Sequence, residues 1–365
     1  MEFVFLVPLA YQFIALLASI KRLFQSDPEA TAFPPISILK PVYGADPKFY
    51  EALRSHAAQD YPHFEILFSV ADPNDAAVPH IRRLMEEFPQ RRIRLLERET
   101  VTPNRKVGAL IDLVKAAQFD VLLINDGDIL APPKYLRTIM GGLEQPGVGL
   151  VTALYRGRAQ SLAGMAEALG VATDFAPSTL VAPLVGVAEF AMGSTLLLRR
   201  ADLEAIGGME VLADKIADDY QLGLEVSKLG KRVHLSTAVV ETSLGARSWS
   251  EAHQHQLRWA RTIRVSRGGV IGYLGMPVTF ATVWAIAALL AGEWAIGFLL
   301  LGLRMNVAIV AGMMGLEDRN VLWLLGFVPA RDLWGAAVWV NGLWGETVEW
   351  GGRRLRLRAD GRISE

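Results

Sequence analysis

The chain has 365 residues, 52% of them hydrophobic and 21% charged, with a formal net charge of −1. That charge argues against a nucleic-acid binder, and the absence of cysteine excludes disulfides, thiolate nucleophiles and cysteine–zinc sites. A mean hydropathy of +0.27 suits a soluble domain carrying a few membrane segments.

The chain opens on an apolar run from Phe3 to Ile20, interrupted only by Gln12. At roughly 18 residues it is long enough to cross a bilayer. Lys21 and Arg22 follow it, and Glu2 precedes it in place of a basic stretch. These flanks predict a retained anchor rather than a cleaved signal, with the following residues in the cytoplasm. From Ala32 to Arg267 strand-like and helix-like runs alternate. Strands are expected at Ile36–Lys40, Phe64–Val70, Ile93–Leu96 and Val121–Ile124, and helices at Pro47–Gln59, Ala76–Phe88 and Val107–Ala117. This alternation predicts a mostly parallel sheet with helices on both faces, and ligands at the carboxyl ends of the strands. The domain lacks a GxGxxG fingerprint and a GxxxxGK[ST] loop, which argues against a dinucleotide enzyme or a P-loop NTPase.

Beyond the α/β region, Gly275 to Met314 is apolar except near Glu293, predicting two helices joined by a tight turn. Val321–Val328 and Leu333–Leu343 are each too short to span. The basic residues Arg353, Arg354, Arg356 and Arg358 favour a re-entrant pair that returns the chain to its starting side. The expected division is therefore an anchor at 1–22, a catalytic domain with a terminal amphipathic helix at 32–270, membrane helices at 271–346 and a basic cytoplasmic tail at 347–365.

The stretch Leu122–Leu130 holds the densest chemistry. A short apolar strand stops at Asn125-Asp126-Gly127-Asp128, where carboxylates at i and i+2 point the same way on extended backbone. The intervening glycine is expected to ease the turn and the approach of an anion. Such a pair suits Mg²⁺ or Mn²⁺ holding a diphosphate, and an acidic strand cap is the bland alternative. Asp72 also falls at a strand end, where it can accept hydrogen bonds from a base or ribose, whereas Asp75 fits a helix cap. Lys106, in Asn104-Arg105-Lys106 at a helix start, is placed to meet a nucleotide. Gly193 and Ser194 sit in a small-residue turn able to admit a sugar near the backbone. Asp218 and Asp219 begin a helix and diverge by about 100°, so one of them can face a site as general base. In the stretch from His253 to Trp259 the two histidines diverge, which argues against zinc. Arg258, Arg261, Arg264 and Arg267 recur along one face suited to lipid phosphates.

Asp72, Asp126-Gly127-Asp128, Asp218-Asp219-Tyr220 and His255-Gln256-Leu257-Arg258-Trp259 form an ordered set. It resembles family 2-like, processive-type glycosyltransferases and, more closely, the ceramide glucosyltransferase family with its bacterial hopanoid-associated relatives. That family carries a first Asp after a strand, a DxD-like site, a (D/E)DY-like stretch and (Q/R)xxRW. Ile38-Leu39-Lys40-Pro41, Asn104-Arg105-Lys106 and Met192-Gly193-Ser194 also look like family segments. His255 departs from the pattern, standing where the family has Gln or Arg.

The resemblance implies a GT-A, Rossmann-like cytoplasmic domain between an N-terminal anchor and C-terminal membrane helices, in a bacterial inner membrane. It implies inverting transfer of glucose, or N-acetylglucosamine, from a UDP-sugar to the hydroxyl of a lipid such as ceramide or a hopanoid. Asp219 would be the base, and Asp126 and Asp128 would hold Mg²⁺ or Mn²⁺. Asp72, Lys106, Asp126, Gly193, Ser194, His255, Arg258 and Trp259 would bind substrate. Neither nucleic acid nor an obligate protein partner is implied. The rival readings are a polyprenyl-phosphate sugar transferase, a polysaccharide synthase and a non-catalytic nucleotide-sugar- or lipid-binding membrane protein.

Overall fold

The computed structural model describes residues 3–266 and 269–364. Glu2 and Arg267, the last arginine of the expected row, lie outside the described residues. The chain divides into two compact units that cut across chain order. One comprises Ser26–Tyr155, Ala188–Ser243 and Gly361–Glu365, and the other Met1–Gln25, Arg156–Val187 and Leu244–Asp360.

The first of these units is built on a sheet. Its strands are Ile36–Pro41 (β1), Phe64–Val70 (β2), Arg92–Glu97 (β3), Val121–Ile124 (β4), Val148–Ala159 (β5), Leu196–Arg199 (β6) and Arg232–Gly245 (β7), in the order β3-β2-β1-β4-β6-β5-β7. β1 to β4 run parallel, whereas β6 pairs antiparallel with both β4 and β5. Every residue of β2 and β4 is buried, as both-face coverage by helices requires. Along β4, Val121 and Leu123 enter one apolar cluster and Leu122 and Ile124 the other, following the two-residue alternation of a strand. The chain runs outward through β1, β2 and β3, then returns to lay β4 on the opposite side of β1. That reversal opens a crevice between the carboxyl ends of β1 and β4. The expected strands and the helices between them are present: the helices are Phe49–Ala57, Ala77–Glu87 and Arg105–Ala116.

The second unit gathers the apolar helices. Three stretches are long and apolar enough to cross a membrane: Phe3–Leu23, Leu162–Val185 and Trp294–Gly315. Gly272–Thr279 and Ala281–Leu290 qualify only as one pair bent by 68°. The expected break near Glu293 is present, with helices ending at Leu290 and restarting at Trp294. The expected pieces Val321–Val328 and Leu333–Leu343 are divided elsewhere: a short helix Asn320–Trp323 precedes Val328–Gly342, which runs through the expected gap because Pro329 sits in its first turn, where no N–H is needed.

The stretch Leu162–Val185, which falls inside the catalytic domain by chain order, belongs with the apolar helices. It carries the polar residues Glu167, Thr173 and Asp174 along its length. The structure buries Glu167 completely between partners: Arg247 Nη1 donates to both carboxylate oxygens at 2.9 Å, and His255 Nδ1 lies 2.5 Å from Oε1. Thr173 meets Arg304, which is itself buried and ion-paired with Asp332. The buried charges of Glu167, Arg304 and Asp332 are thereby neutralised by partners, as a low-dielectric setting favours.

The expected basic tail is ordered. Thr347–Trp350 (β8) and Arg353–Leu357 (β9) form an antiparallel hairpin. The arginine row on Trp249–Ser266 has protein partners: Arg261 donates to the carbonyls of Trp344 and Thr347, and Arg264 to those of Leu343 and Gly345. These arginines cap the chain as it leaves the helix Val328–Gly342, where the carbonyls lack intrahelical donors. A row of this spacing is suited to lipid phosphates, but here Arg261 and Arg264 are already engaged.

Candidate active site

The sheet-bearing unit places Lys106, Asp126, Gly193 and Asp219 together. Asn104 makes this possible from its place after β3: its Oδ1 accepts the N–H groups of Lys106 and Val107 and so caps the helix Arg105–Ala116. Lys106, two residues on, extends Nζ to 2.8 Å from Asp126 Oδ1 and 3.2 Å from Asp218 Oδ2. The Gly193 N–H donates to Asp219 Oδ2 at 2.8 Å, and the Gly193 carbonyl accepts from the Asp126 N–H at 3.3 Å. A Cβ on residue 193 would lie 3.0 Å from Lys106 Nζ, 3.1 Å from Asp126 Oδ2 and 3.5 Å from Asp219 Oδ2. The small-residue turn thus serves side chains from three distant segments as a common floor.

Gly127 is less constrained than the sequence suggests. Its φ is not among the positive ones, and a Cβ there would meet Pro41, Phe49 and Val42 at ordinary contact distances of 3.5–3.6 Å. The close approach that needs a glycine is at residue 193. Ser194 is turned inward: its hydroxyl donates to the Ala153 carbonyl and its own carbonyl accepts from Asn125 Nδ2. Asn125 and Tyr135 form a buried polar strut beneath the end of β4.

The adjacent acids at the start of helix Asp218–Lys228 have different surroundings. Asp218 is buried against Lys106 and Asn104, whereas Asp219 is half-buried. Burial and the charge of Asp218 raise the Asp219 pKa, against the pull of Lys106. At Lys106, burial opposes the charge, but Asp126, Asp218 and Asp219 outweigh it and its pKa is raised. It is a fixed cation at neutral pH.

Two further side chains support the acidic turn: Lys40, from the Ile38-Leu39-Lys40-Pro41 segment, and Thr242, which no sequence motif marks. Lys40, at the end of β1, is fully buried and donates from Nζ to the Asp126 carbonyl at 3.1 Å. Burial pushes its pKa down to about 7, against the charges of Asp128 and Asp126. On the other side, Thr242 Oγ1 and the Ser243 N–H donate to Asp128 Oδ2 at 2.6 and 3.1 Å. Burial and the neighbouring Asp126 raise the Asp128 pKa. Two carboxylates pressed into one turn, each an oxygen donor, carry a like-charge conflict that a hard divalent cation relieves, so this donor set fits one. Among the described residues there is no group of three or more His, Asp or Glu side chains arranged as a metal cage. Two protein carboxylates fit the way Mg²⁺-type ions are held alongside substrate phosphates.

Asp72 lies just past β2, exposed, with Oδ1 accepting the Asn74 N–H at 2.8 Å. Asp75 behaves as the cap expected of it, accepting from the N–H groups of Ala77 and Gly44. His255, Arg258 and Trp259 belong to the other unit, on the helix Trp249–Ser266. The His255 ring lies 5.1 Å from that of Trp259, which meets Phe175 at 5.9 Å. Arg258 lies over the Trp350 ring. Burial lowers the His255 pKa, with Glu167 opposing the shift and Arg258 and Arg247 adding to it. His253 points elsewhere, accepting from Trp334 Nε1, so the two histidines diverge as their spacing requires.

A mostly parallel α/β sheet with an acidic turn after its central strand, in a chain with membrane-length apolar helices, defines a GT-A-type glycosyltransferase fold. Residues 1–363 match the family model of glycosyl transferase family 21, and the chain belongs to that family. Ceramide glucosyltransferase 1 of Caenorhabditis elegans is 28% identical over 227 residues, covering 61% of this chain and 48% of the relative. Ceramide glucosyltransferase 3 of the same organism is 24% identical over 266 residues, covering 68% and 54%. The chain thus spans about half the length of these curated relatives. The mannosyltransferase PcManGT from Pyrobaculum calidifontis, solved in complex with GDP-Man and Mn²⁺, shares the fold: TM-score 0.56, 20% identity, 93% of this chain and 99% of that one.

Proposed function

We propose that the protein is an inverting glycosyltransferase that moves glucose, or N-acetylglucosamine, from a UDP-sugar to the hydroxyl of a membrane lipid such as ceramide or a hopanoid. The observation that carries this reading is the convergence of Lys106, Asp126 and Asp219 on the backbone of Gly193. Family membership and the names of the ceramide glucosyltransferase relatives supply the reaction class.

In this reading the half-buried Asp219 accepts the proton of the lipid hydroxyl as that oxygen attacks the anomeric carbon. The bond to the UDP oxygen breaks, and UDP leaves with the electron pair. Lys106 and Asp72 hold the uridine part, and Gly193 leaves space for the sugar. The hydroxyl of Ser194, committed to Ala153, serves this turn from below. Asp126 and Asp128 would hold Mg²⁺ or Mn²⁺, which neutralises charge on the departing diphosphate. The Mn²⁺ of the mannosyltransferase supports this choice of ion. Arg258 and Trp259, with His255, act on the donor's diphosphate and sugar. Membrane helices at 1–22 and 271–346, joined by Leu162–Val185, hold the lipid, and the basic residues after the first helix put the catalytic domain in the cytoplasm.

Membranes containing the protein, incubated with a panel of labelled UDP-sugars, are expected to yield a labelled glycolipid from UDP-glucose or UDP-N-acetylglucosamine. Absence of lipid product from every UDP-sugar in the panel would refute the reading.

The pH dependence of turnover carries a second expectation. Asp219 must be ionised to accept a proton, so activity falls as pH drops through its pKa. Because that pKa is raised, the acid limb should lie above the ordinary aspartate value of about 3.9. Asp218→Asn removes a neighbouring negative charge and should move the limb to lower pH. A pH–kcat profile unchanged in that variant would show that Asp219 does not set the limb.

A further inference from the structure

The residues that precede the two acids, Ala213–Ile216, lie outside every helix and sheet strand, yet their backbone groups are engaged on both edges. On one edge Asn104 binds alternate carbonyls: its N–H donates to Ala213 at 2.9 Å and its Nδ2 to Lys215 at 2.7 Å. On the other edge the intervening residues meet the last described part of the chain. The Ile363 N–H donates to the Asp214 carbonyl at 2.8 Å, and the Ile216 N–H donates to the Gly361 carbonyl at 3.1 Å. Lys215 and Arg362 form the antiparallel bridge between these bonds, and Arg362 Nε lies 3.4 Å from Asp214 Oδ2. Gly361 takes a φ of 76°, the left-handed turn that brings the chain into this pairing. Ile363 and Ile216 are both buried. The carbonyls of 213 and 215 face one partner and the 214 carbonyl and 216 N–H the other, while the N–H groups of 213 and 215 close local turns onto Glu210 and Leu212, so the segment is held on both edges.

We propose that residues 361–364 are a positioning strand for the Asp218–Asp219 acids. Ile216 is three residues from Asp219, with only Ala217 and Asp218 between. Asn104 fixes one edge of the segment while also capping the helix that presents Lys106. The added strand fixes the other edge, so the segment leading to the acids is held on both sides, while the Lys106 helix keeps its own cap in Asn104. Without it, the Asp214 carbonyl and Ile216 N–H turn to water and the segment gains freedom at the point where Asp219 is aimed. A displacement of about 1 Å in a reacting group can cost ~10²-fold in rate. The acidic turn after β4 has its own supports in Lys40 and Thr242, and Asn104 holds the Lys106 helix independently of the strand, so donor binding is spared.

The proposal rests on Asp219 being the base, and the test separates the two ideas. Full-length protein is compared with a variant lacking residues 361–365 and with Ile363→Pro, which removes the N–H that reaches Asp214. Ile363→Val, which keeps that N–H and the apolar side chain, is the conservative partner. Turnover is expected to fall by about tenfold or more in the first two, with the donor KM within about twofold and Ile363→Val near wild type, the pattern of a group needed only in the transition state. Hydrogen exchange in a peptide covering 213–222 should quicken in the same variants, while one covering 121–130 stays protected. Unchanged turnover and exchange in both the truncation and Ile363→Pro would overturn the proposal. So would a rise in donor KM with general loss of protection, or failure of both variants to fold, because the strand would then support the whole domain. If the wild type transfers no sugar, the functional reading fails by itself, and the exchange result still decides whether the strand holds the acids.

Discussion

Asp219→Asn is expected to lower kcat by ~10²–10⁴-fold, the usual contribution of a positioned general base, with little change in donor KM. The amide keeps an oxygen able to accept the Gly193 N–H, so the floor of the site should survive. What is lost is the lone pair that takes the lipid's proton. The neighbouring Asp218 cannot substitute, because it is buried against Lys106 and Asn104. Steady-state kinetics with UDP-glucose and a solubilised lipid acceptor check this. Near-normal kcat would remove Asp219 from proton transfer and favour an acceptor that needs no base, such as a polyprenyl phosphate.

Asp128→Ala should be comparably damaging. It removes one of the two oxygen donors after β4 and strands Thr242 Oγ1 and the Ser243 N–H, which now bond to it. A metal ion at a leaving diphosphate is worth several kcal/mol, and each 1.36 kcal/mol is tenfold in rate. A loss on the order of 10³-fold follows from those two figures. A chelator should stop the native protein, and added Mg²⁺ or Mn²⁺ should restore it. Burial and Asp126 raise the Asp128 pKa, so more metal should be needed for half-maximal activity as pH falls. Full activity in excess chelator would take the divalent cation out of the mechanism and leave the charge on the diphosphate to protein cations such as Arg258.

Sequence by itself settled the features that depend on neighbours along the chain. The buried strand Val121–Ile124 and its acidic turn are legible because four apolar residues followed by Asn-Asp-Gly-Asp admit few other structures. The helix start at Asn104-Arg105-Lys106 and Phe3–Leu23 as a membrane-length helix follow from local composition in the same way. The ordered motif set pointed to the family that the whole-chain match now gives.

The tertiary structure decided what depends on distant partners. Leu162–Val185 packs with the apolar helices although it sits between α/β strands in chain order, and Arg247 and His255, some 80 residues on, neutralise its buried Glu167. Lys40 becomes a support for the acidic turn because β1 pairs with β4, which brings its Nζ to the Asp126 carbonyl. Asp218 and Asp219 are equivalent on a helix start, and only the lysine and asparagine arriving from another segment commit one and leave the other open. The pairing of Ile363 with Asp214 spans 149 residues between 363 and 214 and leaves no trace in either stretch. Burial and charge pairing are properties of what surrounds a residue in space, and a linear pattern records only what surrounds it along the chain.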